Sequence, residues 1–278
     1  ATKIHTLPFK SPTTAASGLV FPDMGNSGDG SQQMAEQLAE VLPEQPWAYL
    51  KYDNSRILKT ETIAHLLTKY MDHTGSEYLN AFTSSMGIMI LLEAAKIAGI
   101  PIGVIFMDSS PSHIRDGYGS KAGIIAAKLP DTGVAGKFLG TFIADTIRPG
   151  GEEVLSNLAH AVREANSGGS TKLFKSHVKI LKSVDFDRDW EDFSGILHPS
   201  HTIAMFASPK EENDNTVKVG QAFLGHQKFL ARFCIPLDRI ELPFAGHADA
   251  KEAIRLGTPW LRESAARIED LYSPRRPL

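Results

Sequence analysis

Two rhythms alternate along this chain. Short apolar runs rich in branched and aromatic residues, SGLVFPD, PWAYLKYD and Glu77–Phe82, predict strands. Each is followed by a stretch with apolar residues at helical spacing: QQMAEQLAEVL, KTETIAHLLTKYMDHTG and Ile88 to Ala98. IPIGVIFMDSS has no polar alternation, which predicts a strand buried on both faces. The rhythm returns late in the chain with the strand HTIAMFAS, a helix around VKVGQAFLGHQKFLARF, the strand DRIELPF and a last helix from about Ala250 to Tyr272. Strands alternating with helices predict an α/β fold: a mostly parallel central sheet with flanking helices.

From about Pro111 to Pro199 the strand pattern is absent. GIIAAKL, VAGKFLGTFIADTI, EEVLSNLAHAVREA and TKLFKSHVKILKSV are all helix-like and are separated by Gly, Pro and Ser. A helical block between two sheet strands reads as an insertion. The expected organisation is therefore a core formed by residues 1–110 and 200–278, with a helical cap inserted at 111–199.

Composition narrows the function more than the fold. A formal net charge of −3 makes no electrostatic case for nucleic acid or an anionic membrane as partner. No apolar run approaches the roughly 20 residues that span a bilayer. ATKIHTLPFKSPTTAAS lacks the basic start and apolar centre of a secretory signal, although a segment removed before Ala1 is left open. The single cysteine, Cys234, excludes an internal disulfide, and a cytoplasmic location is the expectation. Its apolar flanks, RFCIPL, predict a buried, inert thiol.

The chemistry concentrates at Ser85. In SEYLNAFTSSMGIMILLEAAKIAGI an apolar run breaks at Ser85-Met86-Gly87 and a helix begins at once. A serine at such a turn is exposed and held, and the first amides of the helix stand ready to stabilise an oxyanion. Two later strand ends carry the complementary groups. HTIAMFAS leads into the acidic loop PKEENDNTV, with Glu211, Glu212 and Asp214, and DRIELPF leads into AGHADA, with His247. In a parallel sheet these turns share the carboxyl edge, where ligands bind. A nucleophile needs a base, and the base needs a carboxylate to fix its tautomer. Asp108, in FMDSS, ends another strand and is a further candidate acid.

The order serine, acid, histidine, each after a strand, resembles the α/β-hydrolase superfamily over nearly the whole chain, and the helical block matches that family's cap in position. TSSMG is similar to the family's G-x-S-x-G elbow, which implies Ser85 rather than Ser84 as nucleophile because Gly87 stands two residues after it. DNTV resembles the family's D-x-x-V segment and favours Asp214 as the acid. MGNSG resembles the HG-x loop after the third strand. The resemblance implies that the backbone N–H groups of Asn26 and Met86 form the oxyanion hole, with His247 as base. Thr83 replaces the first elbow glycine and Met24 the usual histidine of that loop.

The implied activity is hydrolysis of a small molecule through an acyl-enzyme, without metal or organic cofactor. The apolar segments GIIAAKL and GKFLGTFIA point to a hydrophobic ester, thioester or lactone. C–C bond hydrolysis or a lyase reaction on the same fold, or a non-catalytic small-molecule binding protein, remain alternatives. Other motifs carry less. GNSGDG lacks the G-x-G-x-x-G spacing of a dinucleotide loop, and the Gly-Lys pair of TGVAGKF is not followed by Ser or Thr. His198 and His201 stand three apart without a third ligand nearby and read as a solvated turn.

Overall fold

A computed structural model describes residues 1–9, 14–22, 29–53, 57–116, 176, 179–180, 182–214, 217–243 and 249–272. Among the described residues seven strands form one sheet in the order β1-β3-β2-β4-β5-β6-β7. The strands are β1 (Lys3–Thr6), β2 (Ala16–Phe21), β3 (Trp47–Lys51), β4 (Tyr78–Ser84), β5 (Ile102–Asp108), β6 (Ile203–Pro209) and β7 (Leu237–Leu242). All neighbouring pairs are parallel except β1 with β3. The α-helices among the described residues are α1 (Asp29–Val41), α2 (Thr60–Thr74), α3 (Gly87–Ala98) and α4 (Val219–Ala231), each between two strands, and α5 (Ala250–Tyr272) after β7.

The alternation of side chains along each strand divides the core between the two faces of the sheet. Leu19, Phe21, Leu79, Ala81, Ile105, Met107 and Phe206 pack with α2, α3 and α4. Ala16, Val20, Tyr78, Phe82, Val104, Phe106 and Met205 pack with α1 and α5. Every residue of β4 and β5 is buried, as the unbroken apolar run of β5 predicts for a strand covered on both faces.

One irregularity sits at the centre. Between the pairs Leu79↔Ile102 and Ala81↔Ile105, β5 carries one residue more than β4. The bulge turns the amide of Val104 out of the ladder, and the side chain of Asn80 receives it, with Oδ1 accepting Val104 N–H at 2.8 Å. Because that oxygen is committed, Asn80 Nδ2 is the donor to Gln45 Oε1 at 2.9 Å. A buried asparagine in a central strand thus has a backbone reason.

Two features depart from the sequence pattern. The pattern assigns no element to the amino-terminal residues, yet Lys3–Thr6 adds the antiparallel edge strand, pairing Ile4 with Leu50. Four residues with a half-exposed edge give no readable alternation. Cys234 is exposed rather than buried, which corrects the expectation of an enclosed thiol. The chain reverses after α4 through a left-handed residue, Cys234 at φ 56°, so its neighbours Phe233 and Ile235 turn inward and the thiol turns out.

Within residues 111–199, GIIAAKL, VAGKFLGTFIADTI and EEVLSNLAHAVREA lie outside the described residues. TKLFKSHVKILKSV is helical at Ser176, Lys179, Ile180, Lys182 and Ser183. The described end of the block leans on the sheet. Phe186 stacks on Phe229 of α4 with ring centroids 4.5 Å apart, and Ile102 N–H donates to Ile196 C=O at 3.0 Å.

Replacing Asn80 with leucine keeps the volume but strands the Val104 amide and the Gln45 carbonyl. Asn80→Leu should destabilise the fold by about 2–3 kcal/mol, read as a lower urea midpoint at unchanged slope.

Candidate active site

The β4 ladder runs out at Ser84, paired with Asp108 of β5. The next residue, Ser85, takes φ 48°, in the left-handed region that a non-glycine residue occupies only under constraint. Its N–H donates to Asp108 C=O at 2.8 Å, which anchors the turn to the neighbouring strand. Helix α3 then starts at Gly87, with Met86 as its buried first flanking residue. A Cβ at Gly87 would lie 2.7 Å from the Phe21 carbonyl oxygen at the end of β2. Glycine is therefore required two residues after Ser85 by close packing of the helix start on the next strand. Thr83, at the position of the missing elbow glycine, is fully buried and reaches the Phe106 carbonyl at 3.4 Å. The larger side chain is absorbed by the interior.

The neighbouring strand ends in the same way. Ser109 also has φ 48°, and its N–H donates to Ala207 C=O of β6 at 2.8 Å. Its hydroxyl donates to Asp108 Oδ1 at 3.3 Å. Asp108 is fully buried between β4 and β6.

After β6, a 3-10 turn at Glu211–Asn213 delivers Asp214. Asp214 is 2% exposed and its Oδ1 accepts Val217 N–H at 2.8 Å, so the D-x-x-V spacing is a local hydrogen-bonded turn. Glu211 instead serves α4, where its Oε2 accepts Gly220 N–H at 2.7 Å in the first turn of the helix. That is a capping role, favoured there by the helix dipole. The side chain of Glu212 lies outside the described residues.

Ser85 follows β4, Asp108 ends β5 and Asp214 follows β6, so the three share the carboxyl edge of adjacent parallel strands. His247 and Asn26 lie outside the described residues. The chain leaves β7 at Leu242 and β2 at Phe21, on that same edge; after β7 the described structure resumes at Asp249, whose Oδ1 accepts Glu252 N–H at the start of α5.

A cavity of about 340 Å³ lies at the opposite edge, where Ala16 and Tyr78 begin β2 and β4 and where Arg262 and Glu269 of α5 form another wall. It is remote from these side chains in the topology. Among the described residues no group of three or more His, Cys, Asp and Glu is arranged to hold a metal ion. His198 and His201 stack on one another in a turn, with ring centroids 5.0 Å apart. No helix among the described residues is long and apolar enough to cross a membrane.

Two residues that the sequence pattern did not single out are built into this edge. Asp116 and His226 sit beneath the turn after β5. His226, on α4, is wholly buried, and its Nε2–H donates to Ser110 C=O at 3.0 Å. Burial pushes the imidazole down to about 4, against the opposing pull of that carbonyl and of the Asp116 charge. Helical periodicity marks His226 only as a core position.

No protein-family model matches this sequence, and no curated protein sequence matches it. Solved structures do match in three dimensions. A lipase in its open form superposes with a TM-score of 0.63 at 14% identity, over 96% of this chain and 94% of that one. The enol-lactonase from Burkholderia xenovorans LB400 gives a TM-score of 0.60 at 13% identity, over 95% and 96%. The type II thioesterase BorB from the borrelidin biosynthetic cluster gives 0.57 at 13%, over 95% and 96%. The chain has the α/β-hydrolase fold. At these identities the likeness is one of architecture.

Because His226 is neutral in the folded state and has an ordinary value when unfolded, protons bind the unfolded chain more readily between pH 6.5 and 4. Its stabilising contribution is therefore complete above that window and is lost as pH falls through it. The stability difference between wild type and His226→Leu, from urea melts, should shrink by about 2–3 kcal/mol from pH 7.5 to pH 4.5.

Proposed function

We propose that this protein is a serine hydrolase that cleaves a small, hydrophobic ester, thioester or lactone through an acyl-enzyme. The observation that carries the reading is Ser85, strained at φ 48° on the tight turn between β4 and α3 at the carboxyl edge of the sheet. Backbone strain of this kind clusters at active sites, and here the turn places a serine beside the start of a helix.

His247 takes the proton from Ser85 Oγ as that oxygen attacks the substrate carbonyl. Negative charge develops on the carbonyl oxygen and is met by the backbone N–H groups of Met86 and Asn26. His247 then protonates the departing alcohol or thiol, and later activates the water that releases the acid. Asp214 fixes the imidazole tautomer and stabilises the imidazolium. Its burial at the end of β6 and the Val217 amide on Oδ1 leave its carboxylate oriented rather than solvated. Glu211 is engaged with the start of α4, which argues against it as the acid.

The helical block at 111–199 is proposed as a cap over this edge, and its apolar segments GIIAAKL and GKFLGTFIA as part of the substrate's surroundings. The lipase, lactonase and thioesterase of like fold support an acyl substrate without choosing among the three.

Hydrolysis of p-nitrophenyl butyrate tests the assignment. Ser85→Ala and His247→Ala should lower kcat on the order of 10⁴–10⁶-fold and Asp214→Asn about 10⁴-fold, with little change in KM. A Ser85→Ala protein as fast as wild type would remove the nucleophile from the account. Loss of that size in Asp108→Asn but not in Asp214→Asn would move the acid to β5.

A further inference from the structure

We infer that Asp116 is a positioning residue for Asp214, holding the acid in place by tying the turn after β5 to the segment after β6. What the acid does rests on the triad reading above; how it is held rests on geometry alone.

Asp116 ends a single 3-10 turn, Ile114–Asp116, and is 2% exposed. Its Oδ2 accepts three hydrogen bonds: from Ser112 N–H and Ser112 O–H, each at 2.7 Å, and from His113 N–H at 2.8 Å. A carboxylate with three close donors curls residues 112–116 around itself and fixes the direction of the main chain there. That direction matters because the Asp116 carbonyl accepts Lys218 N–H at 2.8 Å. The preceding amide, Val217 N–H, donates to Asp214 Oδ1 at 2.8 Å. Consecutive amides of one stretch are therefore gripped, one by the proposed catalytic carboxylate and the other by Asp116.

Two further contacts lock the same units together. His226 of α4 donates to Ser110 C=O, and Gly225 lies so close to Ser112 that an added Cβ would meet Ser112 Oγ at 1.9 Å. At its other end the turn begins at Asp108, whose carbonyl receives Ser85 N–H. A continuous path of short hydrogen bonds and a few covalent links thus runs from the nucleophile's amide, through residues 108–116, to the carboxylate of the acid. It fixes the separation of two groups on strands that are not neighbours.

The bond between Asp116 and Lys218 can be broken at its donor, because a proline ring at 218 would stand where the amide hydrogen points and push the Asp116 carbonyl away. Lys218 has φ −75°, a value that proline adopts, and its carbonyl still accepts Ala222 N–H. Lys218→Pro deletes the N–H, whereas Lys218→Ala keeps it, shortens the side chain to its Cβ and serves as the control. With p-nitrophenyl butyrate, Lys218→Ala, which keeps the N–H, should stay within about two-fold of wild type. Lys218→Pro should lower kcat on the order of 100-fold with KM nearly unchanged, the size expected for a displacement of about 1 Å. Asp116→Ala should behave like Lys218→Pro, and Asp116→Asn, which keeps an oxygen in place, should recover most of the loss. Hydrogen exchange at Val217 should quicken in Lys218→Pro and Asp116→Ala while β4 and β5 stay protected. A Lys218→Pro protein with the kcat of Lys218→Ala overturns the proposal whatever the exchange shows. If wild type has no Ser85-dependent turnover, the triad reading fails instead; unchanged Val217 exchange then overturns the tie and faster exchange supports it.

Discussion

The hydrogen bond from Ser85 N–H to Asp108 C=O carries the local architecture of this site. It extends the β4–β5 pairing one residue past the Ser84↔Asp108 register, and it does so for a residue already forced into the left-handed region. Such a conformation is unfavourable by on the order of 1–3 kcal/mol and persists only when its surroundings over-determine it. Here they do. Two fully buried strands fix the approach, a glycine allows α3 to close on the end of β2, and the neighbouring carbonyl takes the strained amide.

The same anchor sets the geometry of what lies beyond it. The chain continues from Asp108 through a second left-handed serine into a turn folded around the Asp116 carboxylate. Helix α4 packs against that turn closely enough that only glycine fits at 225. Its buried imidazole is kept neutral by desolvation, which suits a group facing a backbone carbonyl within an apolar cluster of Phe186 and Phe206. The His226 imidazole and the Lys218 amide both donate to carbonyls of the turn after β5, which ties α4 and the segment after β6 to that turn. The bulge at Asn80 performs a comparable service deeper in the sheet, satisfying an amide that the register change sets aside.

Much of the fold was legible in the chain because burial on both faces of a parallel sheet leaves a clear mark. The run IPIGVIFMDSS and the helix Ala250–Tyr272 fall where the pattern places them. Serine at a strand–helix break was legible for the same reason: the periodicity changes from one side of Ser85 to the other. What escaped were features whose causes are three-dimensional. The edge strand Lys3–Thr6 is too short and too exposed to show alternation. Cys234 sits between two apolar residues that are indeed buried, but a left-handed turn points the thiol outward, and nothing in RFCIPL encodes that reversal. Asp116 and His226 carry no spacing signal, since an aspartate four residues after a serine and a histidine on a helix face are common. Their meaning comes from α4 lying against the turn after β5. Glu211, one of the acids of that loop, accepts an amide at the start of α4, a contact that its sequence position does not announce.

If the strained turn holds an activated serine, that serine reacts covalently with a phosphonylating electrophile. Intact-mass spectrometry with peptide mapping, after treatment with a fluorophosphonate, measures that directly. One phosphonyl adduct per chain is expected, carried on Ser85 and abolished in Ser85→Ala. An adduct on another residue, or none on the folded protein at a concentration that labels a known serine hydrolase alongside it, would contradict an activated Ser85.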